Sequence, residues 1–383
     1  GSTLTFADGG TIAVRSGKHS IQTPVVADAG LTIATMTNTE LGLGSVTAVN
    51  NPVVNGGGVV VAAEPSQFNM PGLSVYDGST VAFTNTVSSF NLPLAVFDEG
   101  GRLSLADTQT VTLASAVFGT GNFTKAGVNI VHAGDLLQQD GATTVEAGTL
   151  TMTAAPRGRL ALGDATAVYA GTGSGNFPGL TIQAGSQTRA ATLDAQSEIV
   201  ITASVSAPSG ALIKKGPATV RCVAAGTNIF HTGGGAYGRT SRIEFTEMGS
   251  SPATGFGGLT IAEGALEVGA AGQVNSIGGE VVVGAYTTDT AGAEKDATLR
   301  VLGGTTTIAG NLSMGINQGT TVTAPTGAVS RVEVSGGATV LLNSLRMGYS
   351  TKTNNTAIQE LTIADGSVVT ASEGIYLAMQ TGS

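Results

Sequence analysis

Apolar residues in this chain recur at every second position in short runs, and no long stretch keeps them at the i, i+3, i+4, i+7 spacing of a helix. The phrase LTIADGSVV (361–369) shows the pattern, and close variants stand at TLTFADG (3–9), GLSVYDG (72–78), GLTIQAG (179–185) and GLTIAEG (258–264). Alternation places Leu and Ile on one side and Thr on the other, because successive side chains of a strand point to opposite faces. The Asp-Gly or Gly that follows supplies a turn through φ > 0. Asp8, Asp77 and Asp365 are expected to be turn residues that bond nearby backbone amides rather than catalytic groups. The elements predicted are therefore strands and glycine turns, an all-β fold.

The carboxy-terminal third repeats most clearly. ATLRVLGGTTTIAGNLSMG (297–315) aligns with SRVEVSGGATVLLNSLRMG (330–348). Gly303-Gly304 then meets Gly336-Gly337 and Gly315 meets Gly348, at one constant offset. A third copy, 359–378, puts Asp365-Gly366 at the double glycine, and Gly284 holds the place of Gly315 one copy earlier. Each copy holds three short strands, with Leu299 and Val301 on one side and Thr298 and Arg300 on the other. Three strands at a period of about 30 residues close into one coil of a parallel β-helix. One coil cannot bury its own apolar face, so coils must stack, about 4.8 Å apart, around a continuous core.

A second phrase occupies the middle: ALIKKGPATVRCVAAGTNIFHTGGG (211–235) followed by GGLTIAEGALEVGAAG (257–272), with a looser version at 122–152. Lys-x-Gly or Lys-Gly, a strand, a polar loop, then T-x-x-x-G-T/A-L resembles the autotransporter-associated β-strand repeat of bacterial passenger regions. The resemblance covers roughly 122–152 and 211–269. AAGTNIFHTGGG departs from the usual loop in having Phe-His for Tyr-Thr and a longer return. The resemblance implies a right-handed parallel β-helix, here about a dozen coils, and an extracellular or bacterial cell-surface location.

No linker divides the sequence, and a single solenoid over 1–383 is expected. Within it, 1–98 reads as less regular coils, 99–278 as passenger-type repeats with a loop excursion at 228–258, and 279–383 as regular coils. The chain opens Gly1-Ser2 without Met, which reads as an expression scar or a processed end, so a signal peptide, anchor and further domains are expected outside this sequence.

Composition narrows the function. With 57 glycines, 11% charged and 41% apolar residues, the chain is too apolar and too sparsely charged for disorder, and no apolar run is long enough to span a bilayer. A net charge of −9 with scattered Lys and Arg argues against nucleic acid; the densest basic pair is Lys214-Lys215. The single cysteine, Cys222, excludes a disulfide framework or a cysteine zinc site and reads as a buried small hydrophobe. His19, His132 and His231 are too far apart for local metal spacing, no Asp-Asp pair, nucleophile elbow or calcium nonapeptide occurs, and small acidic clusters such as Asp98-Glu99 read as solvated turns. No cofactor, metal or catalytic residue is expected, although coils can bring distant acids together. The absence of Trp and an aromatic content of 4% weigh against a sugar-stacking groove.

Two candidate binding surfaces remain. One is the excursion carrying Phe230, His231, Tyr237, Arg239, Arg242 and Phe245 around a triple glycine, the densest aromatic and cationic grouping in the chain. The other is the register after the third strand, where 285–297, 316–328 and 349–357 leave the coil at one point and would align Tyr286 with Tyr349. The expected role is a structural or adhesive passenger or stalk segment that meets a host or environmental glycan or glycoprotein. The alternative is a polysaccharide-degrading or glycan-binding β-helix.

Overall fold

The computed structural model describes residues 2–106, 110–183, 190–231, 242–245, 253–256, 258–286, 295–317, 328–348 and 358–377. Among them there is no α-helix, and the one helical turn is the 3-10 segment Pro65–Gln67. The chain divides into two compact units, Gly1–Ala161 and Leu162–Ser383. Each is a parallel β-helix.

In the first unit, one face is a six-stranded parallel sheet of Gly10–Val14, Leu31–Thr35, Val53–Asn55, Leu73–Val75, Leu94–Val96 and Val117–Gly119. Its inner column runs Ile12, Ile33, Val54, Val75, Val96, at the same interval every time. From Ile33 onward these side chains are at most 2% exposed. A second face stacks Lys18–Ile21, Glu40–Leu43, Val59–Ala62, Ser79–Phe83, Gly101–Ser104 and Phe123–Ala126, again in parallel. A third begins with Leu4–Phe6, Val25–Ala27, Val46–Ala48 and Phe68–Asn69. The aliphatic columns enclose a largely apolar interior, with Phe68, Phe83 and Phe90 meeting edge to face at 5.7 and 5.6 Å. The segment whose repeat is least visible as letters is thus evenly spaced in structure, on a coil about a third shorter than the sequence phrases suggest.

The second unit keeps the same three-sided grammar with uneven coils. One face is a seven-stranded sheet of Gly175–Phe177, Ile199–Ile201, Thr219–Cys222, Gly264–Val268, Ala297–Val301, Val329–Val334 and Ile358–Ile363. Its inner column is Ile199, Val220, Leu266, Leu299, Val332 and Leu361. The first step, from Ile199 to Val220, is as short as those of the first unit. The outward residues beside the column give the later ones: Glu267 follows Arg221 by 46 positions, Arg300 follows Glu267 by 33, Glu333 follows Arg300 by 33, and Glu360 follows Arg331 by 29. The longest step contains the excursion, where Arg242–Phe245 and Ala253–Phe256 pair as an antiparallel hairpin. In the seven-stranded face the strands keep register across these uneven steps. Thr298 pairs with Arg331 and Val301 with Val334, the constant offset read from the sequence. Cys222 lies in this interior, and burial pushes its thiol up to about 12, so it is an inert apolar filler.

Asp77, Asp98 and Asp365 sit at corners with φ between 52° and 57°. Asp77 Oδ2 also accepts the Gly56 amide of the preceding coil at 3.2 Å, which ties its corner to the coil before it. Inside the second unit, Asn228, Asn275 and Thr306 form a fully buried ladder. Asn228 Nδ2 donates to Asn275 Oδ1 and Asn275 Nδ2 to Thr306 Oγ1, both at 3.2 Å. Stacked identical registers let each polar side chain satisfy the next, so the interior can hold them.

Outside the seven-stranded face runs an alternating ion-pair column. Glu198, Arg221, Glu267, Arg300 and Glu333 contact in order at 3.2, 2.7, 2.9 and 2.8 Å. Glu267, with its side chain 11% exposed, bridges two guanidinium groups. Isolated surface pairs contribute little, but a partly buried network shares its ordering cost. Glu267→Gln leaves Arg221 and Arg300 facing each other, and a loss of about 1–2 kcal/mol in urea unfolding is expected, shrinking as salt is raised.

Candidate functional site

Phe230 is not a surface residue. In Thr227–His231 the alternation turns Asn228 and Phe230 inward, and Phe230 is 0% exposed. It is a core side chain, which corrects its assignment to a binding loop. The backbone of His231 pairs with Ile277, that of Arg242 with Phe256 in the hairpin, and that of Tyr286 with Asn317. The side chains of these three, and Tyr237, Arg239 and Tyr349 altogether, lie outside the described residues. The two candidate surfaces are therefore located by the backbone that frames them.

The polar chemistry that is described sits elsewhere. Lys125 and Lys214, in FTKAGVN and LIKKGPA, occupy interior columns and are each 1% exposed. Lys125 stands between Leu103 and Val145, and Lys214 between Leu193 and Ile261. The methylene stem fills an aliphatic position, and the ammonium reaches the corner. There Lys125 Nζ donates to the carbonyls of Gly127, Asn129 and Ala147 at 2.7, 2.6 and 2.7 Å. Lys214 Nζ donates to Gly216, Ala218 and Glu263 at 2.5, 2.5 and 2.7 Å. In both, two acceptors lie two and four residues ahead, and the third belongs to the next coil. Three donors of the ammonium thus meet three corner carbonyls. Burial pushes Lys214 down to about 8, with Glu263 and Asp194 pulling the other way, so the amine keeps its charge at neutral pH.

The same corner explains the glycine in T-x-x-x-G-T/A-L. The third acceptors, Ala147 and Glu263, directly precede Gly148 and Gly264, whose φ values are 68° and 67°. A Cβ on Gly264 would stand 2.5 Å from Lys214 Nζ and 2.5 Å from Gly216 O. Gly264→Ala is accordingly expected to lower stability by about 2–4 kcal/mol, combining left-handed strain with the collision. Thermal melting of the variant checks this.

Among the described residues the most perturbed carboxyl belongs to Glu280. Burial pushes it up to about 7, against the hydrogen bond from Ser313 Oγ and the charge of Arg346. Ser313, 1% exposed, pairs in register with Arg346. Glu280, Ser313 and Arg346 thus form a carboxyl, hydroxyl and guanidinium on successive coils. This arrangement can hold or release one proton near neutral pH. Sequence reading missed it because the three residues lie a full coil apart and become neighbours only through register. The alignment of 297–315 with 330–348 does set Ser313 against Arg346, but Glu280 lies before it and is not legible there.

In the first unit an open cleft of about 320 Å3 is lined by Glu64, Ser66, Thr86, Ser88 and Asn91 among others, with one carboxylate and no aromatic ring. Tyr76 and Phe97, one coil apart, stack at 5.0 Å, each covering a face of the other. Among the described residues no three His, Cys, Asp or Glu converge as a metal site, and no helix is long and apolar enough to cross a membrane. Compared with family models, curated proteins and solved structures, the chain matches none, so its functional reading rests on its own residues.

Proposed function

We propose that the chain is a structural and adhesive passenger or stalk segment of a bacterial surface-exposed or secreted protein, one that carries partner-binding loops on β-helical coils. The observation that carries this reading is the tolerance of the coil: in the seven-stranded face the shortest step of the inner column, Ile199 to Val220, stacks directly on the longest, Val220 to Leu266, with that face in register. Such a scaffold accepts loop insertions at its corners while its backbone pairing and aliphatic interior stay intact, which suits presentation rather than turnover. The lysine corners add support for the passenger assignment, since both stretches that resemble the autotransporter-associated repeat use one device at matching positions.

The partner class that fits is a glycan or glycoprotein met by the 232–257 excursion and the corner loops after 286, 317 and 348. Replacing 232–257 by a short Gly-Ser bridge is expected to abolish retention on glycoprotein-coated surfaces while the melting temperature stays close to that of the intact chain. Retention that survives both this replacement and removal of the corner loops would reject the reading. The polysaccharide-degrading alternative draws on one observation, the Glu280 carboxyl poised near neutrality as a general acid is. Hydrolysis of a glycosidic bond calls for a second carboxyl at a fixed separation, whereas the charge acting on Glu280 is that of Arg346. New reducing ends or unsaturated products from a polysaccharide panel, lost in Glu280→Gln, would favour this alternative.

A further inference from the structure

The open cleft of the first unit lies where two successive coils make the same connection. Residues 63–72 form it in one coil and 84–93 in the next, between strands held in register at Ala62 with Phe83 and at Leu73 with Leu94. One wall is the turn Pro65–Gln67, fixed where Gln67 Oε1 accepts the amides of Ala63 and Glu64 at 2.7 and 3.3 Å. The other wall is tied down at both ends. The amides of Thr84 and Asn85 donate to the carbonyls of Ala62 and Ala63 at 3.1 and 2.7 Å. At the far end Phe90 is 0% exposed, and Asn91 O accepts Ser115 Oγ at 2.7 Å. The backbone of the cleft is thus held in place by the fold itself.

Its side chains are not committed to the fold. Ser66, Thr86, Ser88, Ser89 and Asn91 line the cleft, are exposed, and make no side-chain hydrogen bond to another described residue. Four hydroxyls and one amide can each both donate and accept. Glu64 adds a carboxylate, whose two oxygens can accept from a pair of adjacent hydroxyl groups. Pro65, buried, and Val87, half-buried, supply the apolar part of the lining. No Lys, Arg or His is among the described residues that line it. An anionic ligand would therefore meet a like charge with nothing to offset it, and an apolar one would strand the hydroxyls. A neutral, polyhydroxylated molecule with C–H faces matches both parts of the lining. The volume of about 320 Å3 suits one or two sugar rings.

We propose that this cleft is a binding site for a neutral saccharide, taking one or two rings of a glycan through hydroxyl, amide and carboxylate contacts. It is built from the first unit alone and stands apart from the 232–257 excursion and the corner loops. With no aromatic ring to stack on, recognition falls to hydrogen bonds, and these discriminate between sugars by the hydroxyls they present.

Saturation-transfer NMR tests this with glucose, galactose, mannose, N-acetylglucosamine and their disaccharides, and with digalacturonate as the acidic probe. The expected result is saturation of at least one neutral saccharide and none of digalacturonate. Thr86→Ala, Ser88→Ala and Asn91→Ala combined are expected to weaken that binding by about tenfold or more. The melting temperature should stay unchanged, because these side chains are exposed and bond to nothing else in the fold. Glu64→Gln is expected to weaken the neutral saccharide and to admit digalacturonate. The chain with 232–257 replaced by a Gly-Ser bridge should keep the full signal, so a failure of the loops and a failure of the cleft are read separately. Saturation of no neutral saccharide, equal saturation of digalacturonate, or a signal that survives the triple substitution or vanishes with the bridge overturns the proposal.

Discussion

Lys214→Met is expected to lower the unfolding free energy by about 2–4 kcal/mol, while Lys215→Met, one residue along, changes it by no more than about 0.5 kcal/mol. Methionine keeps the unbranched stem that fills the interior column between Leu193 and Ile261, so packing is largely preserved. What is lost is the ammonium with its three donors, and the carbonyls of Gly216, Ala218 and Glu263 are left buried without them. Each unpaired acceptor costs about 1–3 kcal/mol, offset in part because a buried charge no longer has to be desolvated. Lys214→Ala adds a cavity and falls further. Lys125→Met repeats the experiment at the corner of Gly127, Asn129 and Ala147. Urea unfolding measures all four. If Lys214→Met unfolds with the wild-type midpoint, the ammonium does not hold the corner, and the glycine at 264 needs another explanation.

Glu280→Gln is expected to reverse sign relative to that loss and to do so only above a defined pH. The unfolded chain releases this proton near the ordinary 4.5 and the folded protein near 7. Between those values the folded state holds more protons than the unfolded one, so stability falls as pH rises through the window. The contribution is fully present below 4.5 and is lost above 7. Glutamine keeps a neutral side chain beside Ser313 and never becomes charged, so above pH 7 the variant is expected to be more stable than the wild type by roughly 1–3 kcal/mol. Below pH 4.5 the two should coincide. Melting temperatures of both proteins across this range decide the matter, and parallel curves at all pH values would show that Glu280 titrates alike in the folded and unfolded states.

Much of this fold was legible, in an instructive pattern. The alignment of 297–315 with 330–348 emerges as the pairing of Leu299 with Val332 and Val301 with Val334. Interior residues there repeat in kind, and glycines mark the corners. In the first unit the column Ile12, Ile33, Val54, Val75, Val96 keeps a strict step with little else in common between copies. A core that asks only for β-branched or aliphatic side chains leaves the other letters free to drift, and so similarity of phrases underreports regularity of structure. The interior lysines were hidden for a different reason. Composition treats lysine as a surface charge, whereas Lys125 and Lys214 act as aliphatic stems whose heads serve the backbone. Their signal was present in the recurring Lys and the later Gly, yet its meaning required the third carbonyl from the next coil. Phe230 failed as a binding residue on plain alternation: it shares a side of its strand with the buried Asn228.

Paired cysteines placed across adjacent coils, in a Cys222→Ala background, test the stacking most directly. Val53 pairs with Ser74 in the first unit and Ser276 with Thr307 in the second, on outward positions at parallel-strand separation, which a disulfide can span. Both pairs are predicted to oxidise rapidly and intramolecularly with little change in melting temperature, while shifting one partner by a residue, Val54 with Ser74 or Ile277 with Thr307, prevents closure by turning one thiol inward. Equal yields from aligned and shifted pairs, or no closure in either unit, would contradict the parallel coil register from which every site described above is built.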